Sequence, residues 1–102
     1  MKQLSFSDFS GRLDDADVRL IDVREPAEYE EVHVRGAELH PLSKIRSGQL
    51  PEFDDREVFV ICRSGGRSAM ACQIFERAGV ACTNISDGTL GAIAAGDEHL
   101  AS

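Results

Sequence analysis

The feature that most constrains this chain is the run Val58-Phe59-Val60-Ile61, which shows no polar alternation. β-Branched and aromatic side chains without a polar face fit a strand covered on both sides, as in parallel sheets. The run ends at Cys62 and passes into Arg63-Ser64-Gly65-Gly66-Arg67-Ser68. The glycine pair can take backbone angles closed to other residues, so the chain can curl with several amide N–H groups turned into one concavity, a cradle for an anion. Ala69 to Ala78 then reads as a helix, with apolar residues at Ala71, Ile74, Phe75 and Ala78 and with Gly79 as its stop. A strand, a tight loop and a helix in this order turn the free amides and the positive end of the helix dipole toward the Cys62 sulfur.

That placement predicts a reactive cysteine. A free thiol has a pKa of about 8.5, and a helix N-terminus with neighbouring arginines lowers it to roughly 3.5–7.5. Arg63 and Arg67 flank the loop, and their fork-shaped donors suit an oxyanion such as a sulfonate, phosphate or arsenate. A structural cysteine would sit in apolar surroundings, not between two arginines.

With 102 residues the chain predicts one domain, residues 1–102, with residues 96–102 as a flexible tail. The net charge of −7 argues against nucleic acid and against anionic membrane surfaces as partners. No apolar run approaches the roughly 20 residues of a membrane span. The start, Met-Lys-Gln-Leu-Ser-Phe-Ser, lacks the apolar core of a signal peptide, so a cytoplasmic protein is expected. Cys62, Cys72 and Cys82 are an odd set, which speaks against a disulfide framework and for a reducing compartment. Their spacing lacks the close pairs of a zinc site, so no metal is expected. Cys72 and Cys82 read as small buried hydrophobes in preference to resolving thiols, and His33, His40 and His99 form no ligand pattern.

In chain order, Lys2–Leu4 reads as a short strand, and Ser5 with Asp8 as the cap of a helix reaching Leu13. Val18–Val23 is a strand, and Pro26 opens a helix to Glu31 with Glu25 and Glu28 near its start. Val32–Gly36 reads as a connector, Ala37–His40 as a strand, Leu42–Ser47 as a helical turn and Ser47–Asp55 as a loop. Val80–Ile85 is a last strand, and Thr89–Ala95 a short helix. Strands alternating with helices predict an α/β fold, a parallel sheet with helices on both faces and its ligand site beyond the carboxyl ends of the strands. Asp22 and Arg24 should share that edge with Cys62, more as a charge pair and loop anchor than as direct catalysts.

Three stretches together resemble the signature segments of the rhodanese (thiosulfate sulfurtransferase) domain, in that family's order and spacing. They are Leu20-Ile21-Asp22-Val23-Arg24-Glu25-Pro26-Ala27-Glu28-Tyr29, His33-Val34-Arg35-Gly36-Ala37 and Cys62-Arg63-Ser64-Gly65-Gly66-Arg67-Ser68-Ala69. The resemblance covers nearly the whole chain. It implies a single rhodanese-like domain, a five-stranded parallel sheet flanked by helices, and a catalytic Cys62 that carries a persulfide. The substrate-binding loop would comprise Arg63, Ser64, Gly65, Gly66, Arg67 and Ser68, with Asp22 and Arg24 in support. Thiosulfate or a polysulfide would donate sulfur, Arg63 and Arg67 would hold the departing sulfite, and cyanide or a low-molecular-weight or protein thiol would accept it, with no cofactor. This sequence departs from the family pattern in two places. Arg35 stands where members usually have proline, which points to an altered loop only. Asp87-Gly88, followed by Gly91-Ala92, replaces a segment that often carries two glycines and a tryptophan.

Other classes compete with this reading. A cysteine phosphatase or arsenate reductase uses a related cradle but places five residues between cysteine and arginine, whereas Arg67 follows Cys62 after four. A docking module on the same fold would typically lack the cysteine, which is present here. A catalytic domain serving as a sulfur relay for one partner protein leaves the same sequence marks as a free-standing enzyme.

Overall fold

The computed structural model describes residues 1–102. Five parallel strands form the main sheet: β1 (Lys2–Leu4), β2 (Val18–Asp22), β4 (Glu38–Leu39), β5 (Glu57–Ile61) and β6 (Cys82–Ile85), in the order β1-β6-β5-β2-β4. The β5 strand, which carries the unalternating apolar run, is central and pairs with β2 and β6. Side chains along it point alternately to the two faces, and both faces are covered. Val58, Val60 and Cys62 pack with Leu42 and Ile45 of α3 (Leu42–Arg46) and with Ala71, Cys72 and Phe75 of α4 (Gly66–Arg77). Phe59 and Ile61 pack on the opposite face with Phe6 and Phe9 of α1 (Phe6–Phe9) and Ala92 of α5 (Gly88–Ala94). The expected α/β architecture, a five-stranded parallel sheet between helices, is therefore the one present.

Crossovers between parallel strands bring the ends of β2 and β5 to one edge, where Asp22 lies in register with Ile61 and next to Cys62. The β2 strand leads into α2 (Pro26–Glu31), whose start is a capping box: the Glu25 side chain accepts from the Glu28 amide, and the Glu28 side chain accepts from the Glu25 amide. No helix is long and apolar enough to cross a membrane.

Three boundaries differ from the sequence expectation. The α4 helix begins at Gly66 and not at Ala69, because Gly65 takes the left-handed angle (φ 99°) of the N-cap. The connector Val32–Gly36 contains a short strand, β3 (His33–Val34). The tail expected to be flexible is corrected: β7 (Leu100–Ala101) pairs antiparallel with β3, and Leu100 packs on the α1/α5 side of the core. Arg35 supplies two further ties, its amide donating to His99 O at 2.7 Å and its guanidinium to Glu98 O at 2.7 Å. Its effect therefore reaches beyond its own loop, since a proline there would have no N–H to give.

Candidate functional site

Cys62 follows the last residue of β5, and the chain curls around its sulfur. The Gly65 amide donates to Sγ at 3.1 Å, and the Ser68 hydroxyl lies 3.3 Å from it. Gly65 must be glycine: its φ is 99°, and a Cβ there would collide with the Ser86 carbonyl oxygen. Burial pushes the Cys62 thiol up, but the Ser68 hydroxyl and the amides of Ser68, Gly65 and Ser64 outweigh it, so the pKa falls below its ordinary value. The residue is only 1 % exposed. What remains open to a reactant is the concavity above the sulfur.

The carbonyl side of the same loop is held just as firmly. Thr89 donates to Cys62 O from its amide at 2.9 Å and its hydroxyl at 3.0 Å, and the Leu90 amide donates to Arg63 O at 3.0 Å. Gly88 (φ 60°) allows this approach, since a Cβ there would come within 2.6 Å of Cys62 O. Asp87 accepts from the Phe6 amide at 2.8 Å, which ties the start of α5 to α1. With its carbonyls engaged by α5, the loop is left with its amides facing Sγ. The segment that departs from the family pattern, Asp87–Leu90, thus forms the support beneath the loop.

Asn84 was not singled out in the sequence, yet it closes the network. Its Oδ1 accepts from the Ser68 hydroxyl, and its Nδ2 donates to Gly65 O at 3.1 Å and to Gln3 Oε1 at 2.9 Å. The available signal was a polar Thr83-Asn84 pair inside a strand expected to be covered on both faces. A buried polar side chain needs partners, and these are they.

The charged residues divide into two groups. Asp22 and Arg24 form a buried pair in which Arg24 Nε and Nη2 donate to the carboxylate at 3.0 and 2.8 Å, and Nη2 also donates to Val32 O at 2.8 Å. This pair fixes the chain leaving β2 against the end of α2. Arg67, expected to face a donor anion beside Arg63, is instead gripped by Glu28: Nη1 to Oε1 is 2.6 Å and Nη2 to Oε2 is 2.8 Å. The Arg67 guanidinium, helped by the Glu25 amide, holds the Glu28 carboxyl down at about 2 against the cost of burial. Arg63 enters no ion pair and lines an open pocket of about 200 Å³ with Arg24, Glu28, Glu31, Leu90 and Ile93.

The other two cysteines are remote or differently placed. Cys82 lies in register with Val58, four residues before Cys62, and thus about 13 Å along the sheet at 3.3 Å per residue. Cys72 is buried in α4 beside Cys82, and the neighbouring sulfur together with burial pushes its thiol strongly up. All three cysteines are free.

Comparison with known proteins agrees with this geometry. The "Putative sulfur carrier protein YrkF" of Bacillus subtilis is 36 % identical over 80 residues, which are 76 % of this chain but 42 % of that protein. This chain thus spans less than half of that relative's length. A protein named "Sulfurtransferase" from Allochromatium vinosum is 39 % identical over 75 residues, 71 % of this chain and 68 % of that one. The crystal structure of a rhodanese-like domain protein from Staphylococcus aureus superposes with a TM-score of 0.82 at 27 % identity, covering 99 % of this chain and 97 % of that one. Residues 5–94 match the rhodanese-like domain, and the chain belongs to that family.

Proposed function

We propose that this domain is a sulfurtransferase in which Cys62 carries sulfane sulfur as a persulfide. The observation that carries the reading is the set of donors on Cys62 Sγ, where the Gly65 amide and the Ser68 hydroxyl, with the Ser64 and Ser68 amides, stabilise negative charge on sulfur. Thiolate Cys62 attacks the outer sulfur of thiosulfate; the Cys62–S bond forms, the donor's S–S bond breaks, and sulfite departs with the electron pair. Arg63, free at the pocket, is the residue placed to meet that anion. The persulfide's terminal sulfur stands about 2.05 Å beyond Sγ. There it occupies the concavity, where inward amides and the α4 N-terminus act as an oxyanion hole acts on oxygen.

Cyanide or a thiolate then takes the terminal sulfur and leaves Cys62 as the thiolate. Both steps are redox-neutral exchanges, so donor, Cys62 and acceptor complete the cycle. A polysulfide or a persulfide serves as donor by the same bond changes. A protein thiol is an admissible acceptor, and three unpaired thiols suit a reducing, cytoplasmic setting. The compact loop favours one sulfur atom over a tetrahedral phosphate or arsenate.

The test is the intact mass of the protein after brief exposure to thiosulfate and, separately, to a polysulfide. Gain of one sulfur by the wild type, none by Cys62→Ser, and its removal by cyanide are the expected results. Loading of the Cys62→Ser variant, or no loading from either donor, overturns the reading.

A further inference from the structure

The cations at the site are unequal, and Glu28 makes them so. Of the three arginines around the pocket mouth, Arg24 is committed to Asp22 inside the fold and Arg67 is held on both terminal nitrogens by Glu28. Each of those pairs is close to neutral as seen by an incoming anion. The remaining charges on the pocket wall are Arg63 and Glu31, one of each sign. A dianion such as thiosulfate, approaching a chain of net charge −7, therefore finds little local attraction. The same wall presents Leu90 and Ile93, which are 40 % and 46 % exposed. Such a surface suits an organic group better than a sulfonate.

Glu28 is not a loose surface acid. Its carboxylate also accepts from the Glu25 amide at 3.1 Å, so the first turn of α2 fixes it while it grips Arg67. Arg67 lies in the first turn of α4, directly after the loop around Cys62, and its guanidinium and the Cys62 sulfur feel each other's charge. Resting on the reading of Cys62 as a persulfide carrier, we infer that Glu28 is a specificity-determining residue: by holding Arg67 it withholds the second anion-binding fork and steers sulfur loading toward organic persulfides and away from thiosulfate. The favoured step is attack of the Cys62 thiolate on the outer sulfur of R–S–SH. The Cys62–S bond forms, the donor's S–S bond breaks with its electron pair on R–S, and the proton of the outer sulfur passes to that departing thiolate. R–SH leaves neutral, so no second arginine is needed.

The experiment compares single-turnover loading of Cys62 by thiosulfate and by the persulfide of 2-mercaptoethanol, in wild type, Glu28→Gln and Glu28→Gln/Arg67→Gln. Glutamine preserves the acceptor that the Glu25 amide needs, and a thermal melt checks that each variant is folded. Glu28→Gln is expected to raise the second-order rate constant for thiosulfate about tenfold, the scale of one hydrogen bond to a charged group. Persulfide loading should stay within about twofold, and the thiosulfate gain should vanish in the double variant. Protection of Cys62 by sulfite against alkylation with iodoacetamide gives a readout that needs no sulfur transfer; sulfite should protect at lower concentration in Glu28→Gln. Failure of the wild type to load from either donor strikes the persulfide reading, while sulfite protection still reports on Glu28. Unchanged thiosulfate rates and sulfite protection in Glu28→Gln, or an equal change for both donors, overturn the assignment of Glu28.

Discussion

Cys62 and Cys72 lie on the same side of the sheet, in the same apolar cluster, at 1 % and 0 % exposure, yet their thiols shift in opposite directions. Burial raises both. The difference lies in what else reaches each sulfur: Cys62 receives a hydroxyl and backbone amides, whereas Cys72 has another thiol for a neighbour. Depth therefore does not make a cysteine inert, and an apolar surround does not make it structural. The directed N–H and O–H groups decide.

The most severe way to break this contrast is to remove the backbone turn that aims the amides. Gly65→Ala would force an L side chain into φ 99° and against the Ser86 carbonyl. The backbone angle alone costs about 1 to 3 kcal/mol. Sulfur loading measured by intact mass should be lost, with a lowered melting temperature.

Ser68→Ala is a gentler cut that spares the amides. The folded pKa of Cys62 lies below its ordinary value, partly through the Ser68 hydroxyl, so its removal should move the midpoint of the alkylation-versus-pH curve upward. At neutral pH the thiolate fraction falls, and loading should slow by about tenfold. An unmoved midpoint would assign the shift to the amides alone.

Cys72→Ala sharpens the comparison from the other side. Loss of one buried sulfur from a full cluster should cost about 1 kcal/mol in denaturant unfolding and leave the loading rate and the Cys62 alkylation midpoint where they were. A changed midpoint would mean that the two sulfurs communicate through α4.

Much of the site was legible because it is local. The unalternating β5 run, the glycine pair and the apolar period of α4 are consecutive, and their geometry follows from backbone angles and periodicity alone. What was not legible depends on pairs distant in the chain. Arg67 meets Glu28 across 39 positions, and Asn84 reaches Ser68 across 16. Glu28 read as a helix-start acid and Arg67 as an anion ligand because each role is complete within its own segment. Thr89 could not be tied to Cys62 O before the sheet order put α5 beneath the loop. The tail misled for a related reason: a short polar ending carries no sign that Arg35 and β3 offer it a partner.

The Ser68 hydroxyl has one proton and two acceptors within reach, the Cys62 sulfur and Asn84 Oδ1. While Cys62 is a thiol, the proton can rest on Asn84; once the sulfur is charged, it turns toward the sulfur and Asn84 loses its donor. The side-chain amide of Asn84, bonded to Gly65 O and Gln3 Oε1, is thereby a built-in reporter. Its NH₂ resonances would record each cycle of charging and discharging at Cys62 without any label on the sulfur itself.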